Sequence, residues 1–444
     1  MACNCSLANV LGVVLVFTLF HDPITVAGQN IPAVALFTFG DSNFDAGNRM
    51  FLAGTRFPQN FWPYGKSRDD PSGKFSDGRI VPDFIAKFMG IPHDLPPAFE
   101  PGANVSRGAS FAVDSASILG TARDSLNLNN QVRRFNQMIS NWKEDYITKS
   151  LFMISIGMED YYNFTKNNPT ADGSAQHAFV ISVISRLRNN IEMLYSSGAS
   201  KFAVYTLPAL GCFPIVRQEF NTGNDCYKKL NDLAKQHNAR LGPMLNDLAR
   251  ARSGFQFTVF DFYNVILRRT QRNMNFRYSF TNVSCCGIGS HNAFGCGRPN
   301  VRSKLCEYQR SYLFFDGRHN SEKAQEQFAH LLFGANPNVI QPMNIRELIT
   351  YPVNTNMSEF WEEPVGRNLM VNDIDPVGPD SRTGVTPTRL TGASDTTESS
   401  QTQQIPPTGT SSQDRSLPIN QTSTRNELKL ESGISPETDT PPMT

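Results

Sequence analysis

Four short runs rich in β-branched and aromatic residues limit what this chain can fold into. They are "VALFTF" (34–39), "SLFMISI" (150–156), "KFAVYTL" (201–207) and "FQFTVFDF" (255–262), each bounded by breakers. Helix-patterned sequence separates them. Between the second and third, Phe179, Val180, Val183, Ile184, Leu187, Ile191 and Leu194 recur at helical spacing, and Gly198 stands where that helix should stop. Over residues 228–251 a second face runs through Leu230, Leu233, Leu241, Leu245 and Leu248, with a kink predicted at Gly242–Pro243. Strands alternating with helices predict an α/β fold with a mostly parallel sheet covered on both faces. Ligands of such sheets gather beyond the carboxyl ends of the strands. In "FTFGDSNFDAGN" (37–48), Ser42 directly follows the first strand, at that edge.

Composition divides the chain. Residues 1–28 read as a secretory signal: Val10 to Phe20 are apolar but too few to span a bilayer, and small residues follow at Ala27 and Gly28. Residues 29–362 carry the strand and helix patterns, and no later segment is apolar enough to cross a membrane. Residues 363–444 turn to Ser, Thr, Pro, Gly and Gln, which cannot bury enough surface to offset the entropy of ordering, so a disordered tail is predicted. A formal net charge of +1 gives no reason to expect nucleic acid as a partner.

Secretion governs how the cysteines are read. Cys212, Cys226, Cys285, Cys286, Cys296 and Cys306 remain after the signal, an even set without two clean Cys-x-x-Cys pairs. Disulfides are expected and zinc is not. Cys212 with Cys226 would close a short loop, while the pairing of the others is open. Sequons at Asn104, Asn163, Asn282, Asn356 and Asn420 suit a glycoprotein.

A serine nucleophile needs a base, an acid to orient that base, and donors for the developing oxyanion. "YLFFDGRHNSEKAQEQFAHLL" offers Asp316 and His319, three residues apart in a loop that should cap a helix starting near Asn320 or Ser321. His237 falls on the apolar face of the 228–251 helix and reads as structural. His93, His177, His291 and His330 have no acidic neighbour in an equivalent setting.

The serine block "FTFGDSNFDAGN" and the late "FFDGRH" together resemble the plant GDSL esterase/lipases of the SGNH-hydrolase superfamily. "WPYGKSRDDPSGKFSDGRIVPDFIA" (62–86), "LGCFP" (210–214) and "SCCGIG" (284–289) are similar to further blocks of that family, so the resemblance spans residues 30 to 345. "RGASFAVDSASILG", "SIGMEDYYNFTK" and "SKLCEYQRSYLFFDGRHNSEKAQE" look like its myrosinase-associated and epithiospecifier-modifier branch. The resemblance implies a three-layer α/β/α flavodoxin-like fold, with Ser42 as nucleophile, His319 as base and Asp316 as the orienting acid. It also implies an oxyanion hole made of the serine N–H, a glycine N–H in the second block and an asparagine side chain in the third. Here the sequence departs from the pattern. Glu159 of Gly157-Met158-Glu159-Asp160 stands at the asparagine position, and Asp114 or Ser115 of "SFAVDS" at the glycine. A carboxylate has no hydrogen to offer and repels a developing oxyanion.

The expectation from the branch resemblance is a protein that shifts glucosinolate breakdown towards isothiocyanate over nitrile, with ester hydrolysis weak or lost. Myrosinase and its associated lectins would be partners, and a small ester or glucosinolate-derived molecule the ligand. A secreted esterase working through Ser42, His319 and Asp316 is the alternative, and a structural or cargo glycoprotein of endomembrane compartments a third. No cofactor or metal is expected, and the address is extracellular, vacuolar or an ER body.

Overall fold

All four apolar runs become strands of one sheet: β1 (Leu36–Gly40), β3 (Leu151–Ser155), β4 (Lys201–Tyr205) and β5 (Gln256–Phe260). The computed structural model describes residues 34–52, 57–120, 127–271, 276–334 and 338–353. The predicted signal, the predicted tail, Asn356 and Asn420 lie outside the described residues. A further parallel strand, β2 (Gly108–Ser110), adds to β1, and an antiparallel edge strand, Ile340–Gln341, adds to β5. Every residue of β1 to β5 is buried, as strands covered on both faces require.

The strand order β2-β1-β3-β4-β5 is that of a doubly wound, flavodoxin-like sheet. Right-handed crossovers then place helices on both faces. On one side Leu128–Met138, Gly173–Ser196 and Lys228–Ala251 pack in succession; on the other, Val81–Phe88, Glu322–Phe333 and Ile345–Thr350 do so. The result is the three-layer α/β/α architecture. At its centre the Phe37 ring lies 5.2 Å from Phe135, 4.8 Å from Trp142 and 5.0 Å from Phe152. The direction of strand addition reverses between β1 and β3, so the two strands part at their carboxyl ends and leave a crevice.

Local chemistry explains the helix bounds. Asp172 caps Gly173–Ser196 by accepting from the Ala175 amide, and Gly198 follows its end at φ 98°. Lys228–Ala251 runs unbroken through Pro243, so the predicted kink does not divide the helix. Its buried face, Leu230, Leu233, Leu241, Leu245 and Leu248, continues on both sides of the proline and outweighs one lost backbone bond. Disulfides join Cys212–Cys226, Cys285–Cys306 and Cys286–Cys296, so the adjacent cysteines bridge to different partners.

Candidate active site

Ser42 sits where β1 ends, and the strand end is pinned from two sides. A Cβ on Gly40 (φ 153°) would lie 2.0 Å from the Ser155 carbonyl oxygen, so this close approach of β1 to β3 needs glycine. Gln131 locks the same residue, accepting from its amide at 2.9 Å and donating to its carbonyl at 2.7 Å. Asp41 then turns the chain, its Oδ1 accepting from the Asn43 amide at 3.1 Å and from Asn43 Nδ2 at 3.0 Å. Burial pushes the Asp41 carboxyl up to about 7, against the opposing pull of those bonds.

The serine hydroxyl meets its expected partners. Ser42 Oγ lies 2.7 Å from His319 Nε2, and His319 Nδ1 lies 2.8 Å from each oxygen of Asp316. Asp316 and His319 occupy the loop before the helix Glu322–Phe333, which starts after Ser321 as the sequence suggested. Asp316 is buried, which alone would raise its pKa; the nearby His319 charge and the donors around it outweigh burial and hold it below the usual carboxylate range. Those donors are the Arg318 and His319 amides on Oδ1, both at 2.8 Å, and the Tyr64 hydroxyl on Oδ2 at 2.6 Å. A carboxylate at Nδ1 favours the tautomer whose Nε2 lone pair faces Ser42, so the array can withdraw the serine proton.

The oxyanion side is less well provided. Glu159 lies in the first turn of the helix Met158–Asn167, which follows β3 after Gly157 (φ 117°). It lines the same cleft as Ser42. Its Oε2 stands 3.4 Å from Arg318 Nη1, and its Oε1 accepts from Asn163 Nδ2 at 3.3 Å. The Arg318 guanidinium also stacks over the Tyr162 ring, 4.1 Å from its centroid. Asp160 turns inward instead, accepting from the Ile118 and Leu119 amides at 2.8 and 3.0 Å and tying the second block to the third.

In the second block the Asp114 amide is already spent on Asp45 Oδ2 at 2.8 Å. Ser115 adopts φ 59°, the left-handed region that glycine favours, so it takes the backbone shape expected of the glycine position. Its Oγ donates to Asp114 Oδ1 at 3.1 Å, and burial raises the Asp114 carboxyl. No acceptor among the described residues engages the Ser42 amide, the first expected oxyanion donor.

The cleft encloses about 360 Å³, and Phe57, Tyr64, Phe75, Ile215 and Phe294 add apolar surface to its lining. His237 is structural, as its helix face predicts: it is buried, its Nδ1 lies 2.9 Å from the Tyr161 hydroxyl, and burial holds it down to about 3. Among the described residues no cluster of His, Cys, Asp or Glu could hold a metal ion, and no helix is long and apolar enough to cross a membrane. Asn104 is exposed, Asn163 is half-buried and bonded to Glu159, and Asn282 donates to Asn224 Oδ1 at 2.6 Å. Sequence reasoning on the chemistry did not single out Tyr64, Arg318 or Asp45. Tyr64 lies in "WPYGK", but a lone tyrosine gives no spacing signal.

A family model for GDSL-like lipases/acylhydrolases matches residues 36–332. The chain belongs to that family. It is 73% identical to GDSL esterase/lipase At1g54020 of Arabidopsis thaliana over 82% of this chain and 98% of the relative. It is 68% identical to "Inactive GDSL esterase/lipase-like protein 23" over 84% of this chain and 98% of the relative, again from Arabidopsis thaliana. It is 64% identical to the same plant's GDSL esterase/lipase ESM1, covering 82% of this chain and 94% of the relative. This GDSL-family chain is thus similar, at 64–73% identity, both to relatives named as esterases and to one named as inactive.

Proposed function

We propose that this protein is a secreted GDSL-type serine acylhydrolase of low turnover that modifies the outcome of glucosinolate breakdown, favouring isothiocyanate over nitrile. The observation that carries the chemical half is the unbroken line from Ser42 Oγ through His319 to Asp316, with Glu159 in the same cleft. In this reading His319 takes the Ser42 proton as the serine attacks an ester carbonyl, and Asp316 steadies the imidazolium that forms. The Ser42 amide receives the oxyanion, while the asparagine donor of the family's third block is missing. Loss of one such donor lowers turnover by ~10²–10³, so a slow esterase is the expected outcome rather than a dead one.

The glucosinolate half is supported by likeness to the relative named ESM1 and by the branch blocks of the sequence. Purified protein should hydrolyse p-nitrophenyl acetate slowly but above a Ser42→Ala control, and equality of the two would remove the hydrolase reading. Adding the protein to myrosinase and a glucosinolate should raise the isothiocyanate share of the products. An unchanged ratio with wild-type protein would remove the modifier reading and leave the hydrolase one standing.

A further inference from the structure

The block "WPYGK" resembles a family block, yet the proton transfer from Ser42 to His319 does not need it. The structure gives it a task. Asp316 is buried, and a buried carboxylate must collect donors to remain charged and to keep its orientation. Oδ1 is tied down by two amides of its own loop, at Arg318 and His319. Oδ2 receives Tyr64 at 2.6 Å, a donor 252 residues distant along the chain. With both oxygens restrained, the carboxylate plane cannot turn about its bond, and both oxygens stay within reach of His319 Nδ1.

The aim of the tyrosine is itself constrained. Its ring meets Phe315, the neighbour of Asp316, edge-on at 5.3 Å, and meets Phe75 edge-on at 6.2 Å. Phe75 in turn lies 4.6 Å from the His319 ring. Gly297 closes the remaining side: a Cβ there would stand 2.9 Å from Tyr64 Cε2 and 2.8 Å from the Pro58 carbonyl oxygen. Gly297 is held in place because Cys296, the residue before it, is bridged to Cys286, while Cys285 is bridged to Cys306. Tyr64, Phe75, Phe315 and these cysteines form a hydrophobic cluster separate from the main core.

We propose that Tyr64 is a positioning residue of the acyl-transfer site, its hydroxyl aimed at Asp316 by the disulfide-tied turn at Gly297. The inference rests on the hydrolase reading above. Tyr64→Phe keeps the ring and removes only the donor. Asp316 then concentrates more charge towards Nδ1, the imidazolium form of His319 gains, and the acid limb of the rate–pH profile moves upward. One hydrogen bond moves a buried carboxylate's own pKa by roughly one unit, so the acid limb, which feels that change indirectly, should move by up to about one pH unit, and a loosened base corresponds to a roughly tenfold fall in kcat with KM little changed.

The experiment measures fluorophosphonate labelling rates and ester turnover against pH for wild type, Tyr64→Phe, Gly297→Ala and the double variant. The Nδ1 proton of the His319–Asp316 bond is followed by NMR in the same four proteins. Tyr64→Phe should move the acid limb and the proton resonance, and Gly297→Ala should move both the same way while retaining the hydroxyl. The double variant should be no worse than the poorer single one. A limb and resonance unmoved by Tyr64→Phe, in folded protein, would reduce Tyr64 to packing and overturn the proposal. Full-strength loss from Gly297→Ala in the Tyr64→Phe background would overturn the coupling to the disulfide-tied turn. Wild type that fails to label at all would remove the hydrolase reading instead, and the NMR resonance would still decide whether Tyr64 orients Asp316.

Discussion

Replacing Glu159 by asparagine should make this protein a faster esterase. The native carboxylate acts in two ways: it supplies no hydrogen to the oxyanion, and it carries a charge of the wrong sign. The structure shows that the second effect is partly offset. Arg318 Nη1 stands 3.4 Å from Glu159 Oε2, for which a gross attraction of about 5 kcal/mol follows at an effective dielectric of about 20. The two side chains are 35% and 23% exposed, so solvent screens much of that attraction. An oxyanion about 4 Å from the carboxylate would feel a gross repulsion of about 4 kcal/mol, of which the nearby guanidinium offsets a part. The missing donor adds a loss of ~10²–10³ in turnover.

Glu159→Asn restores the donor and leaves Arg318 unpaired but positive, which does not oppose an oxyanion. The expected gain in kcat on p-nitrophenyl acetate is about 10–100-fold, the lower range because the asparagine has not been packed for this role. Arg318→Ala should do the opposite, leaving Glu159 uncompensated and lowering turnover about tenfold. In the Glu159→Asn background the same change should still lower turnover, because the unpaired guanidinium then attracts the oxyanion directly. A Glu159→Asn protein with unchanged melting temperature and turnover at or below wild type would refute this reasoning.

Three further outcomes follow from the structure. Burial raises Asp41 and Asp45 to about 7 and Asp160 and Asp261 to about 6, so the folded chain holds protons that the unfolded chain has released above about 4. Their contribution is complete below the unfolded values and is lost as pH rises through 6 to about 7, so thermal melting should show a higher Tm at pH 5 than at pH 8. Asp316, Asp94 and Glu322 are shifted downward, and their contribution disappears only as pH falls below about 4. Replacing Cys285 and Cys306 by serine opens a loop with a sequence separation of 21 and should lower unfolding free energy by about 3 kcal/mol, measured by urea denaturation. Phe37→Ala should cost about 3–5 kcal/mol in the same assay, since its ring packs against Phe135, Trp142 and Phe152 at the sheet centre.

Much of the scaffold was legible because the signals were long and periodic. β1, β3, β4 and β5 announce themselves as apolar runs, and the faces Val180 to Leu194 and Leu230 to Leu248 emerge with the predicted burial. β2 escaped because Gly108–Ser110 is three small residues with no pattern, recruited by pairing with β1 rather than by propensity. The edge strand Ile340–Gln341 is shorter still. Asp316 and His319 were readable because their spacing before a helix start limits where both can point. Tyr64 was not, because its contact with Asp316 depends on the tertiary fold. Arg318 was hidden for a different reason: only the structure shows that its side chain reaches the helix bearing Glu159. The disulfides divide in the same way. Cys212–Cys226 follows from a short loop, whereas neighbouring Cys285 and Cys286 could exchange partners on paper and are separated only by the fold.

The most direct test of the account is to incubate the folded protein with a fluorophosphonate and map the adduct by peptide mass spectrometry. A single phosphonyl group on Ser42, absent in Ser42→Ala and strongly slowed in His319→Ala, is the predicted result. A protein that stays unlabelled under conditions that label an active esterase, or an adduct on another residue, would contradict the claim that the Ser42–His319–Asp316 line is a working nucleophile.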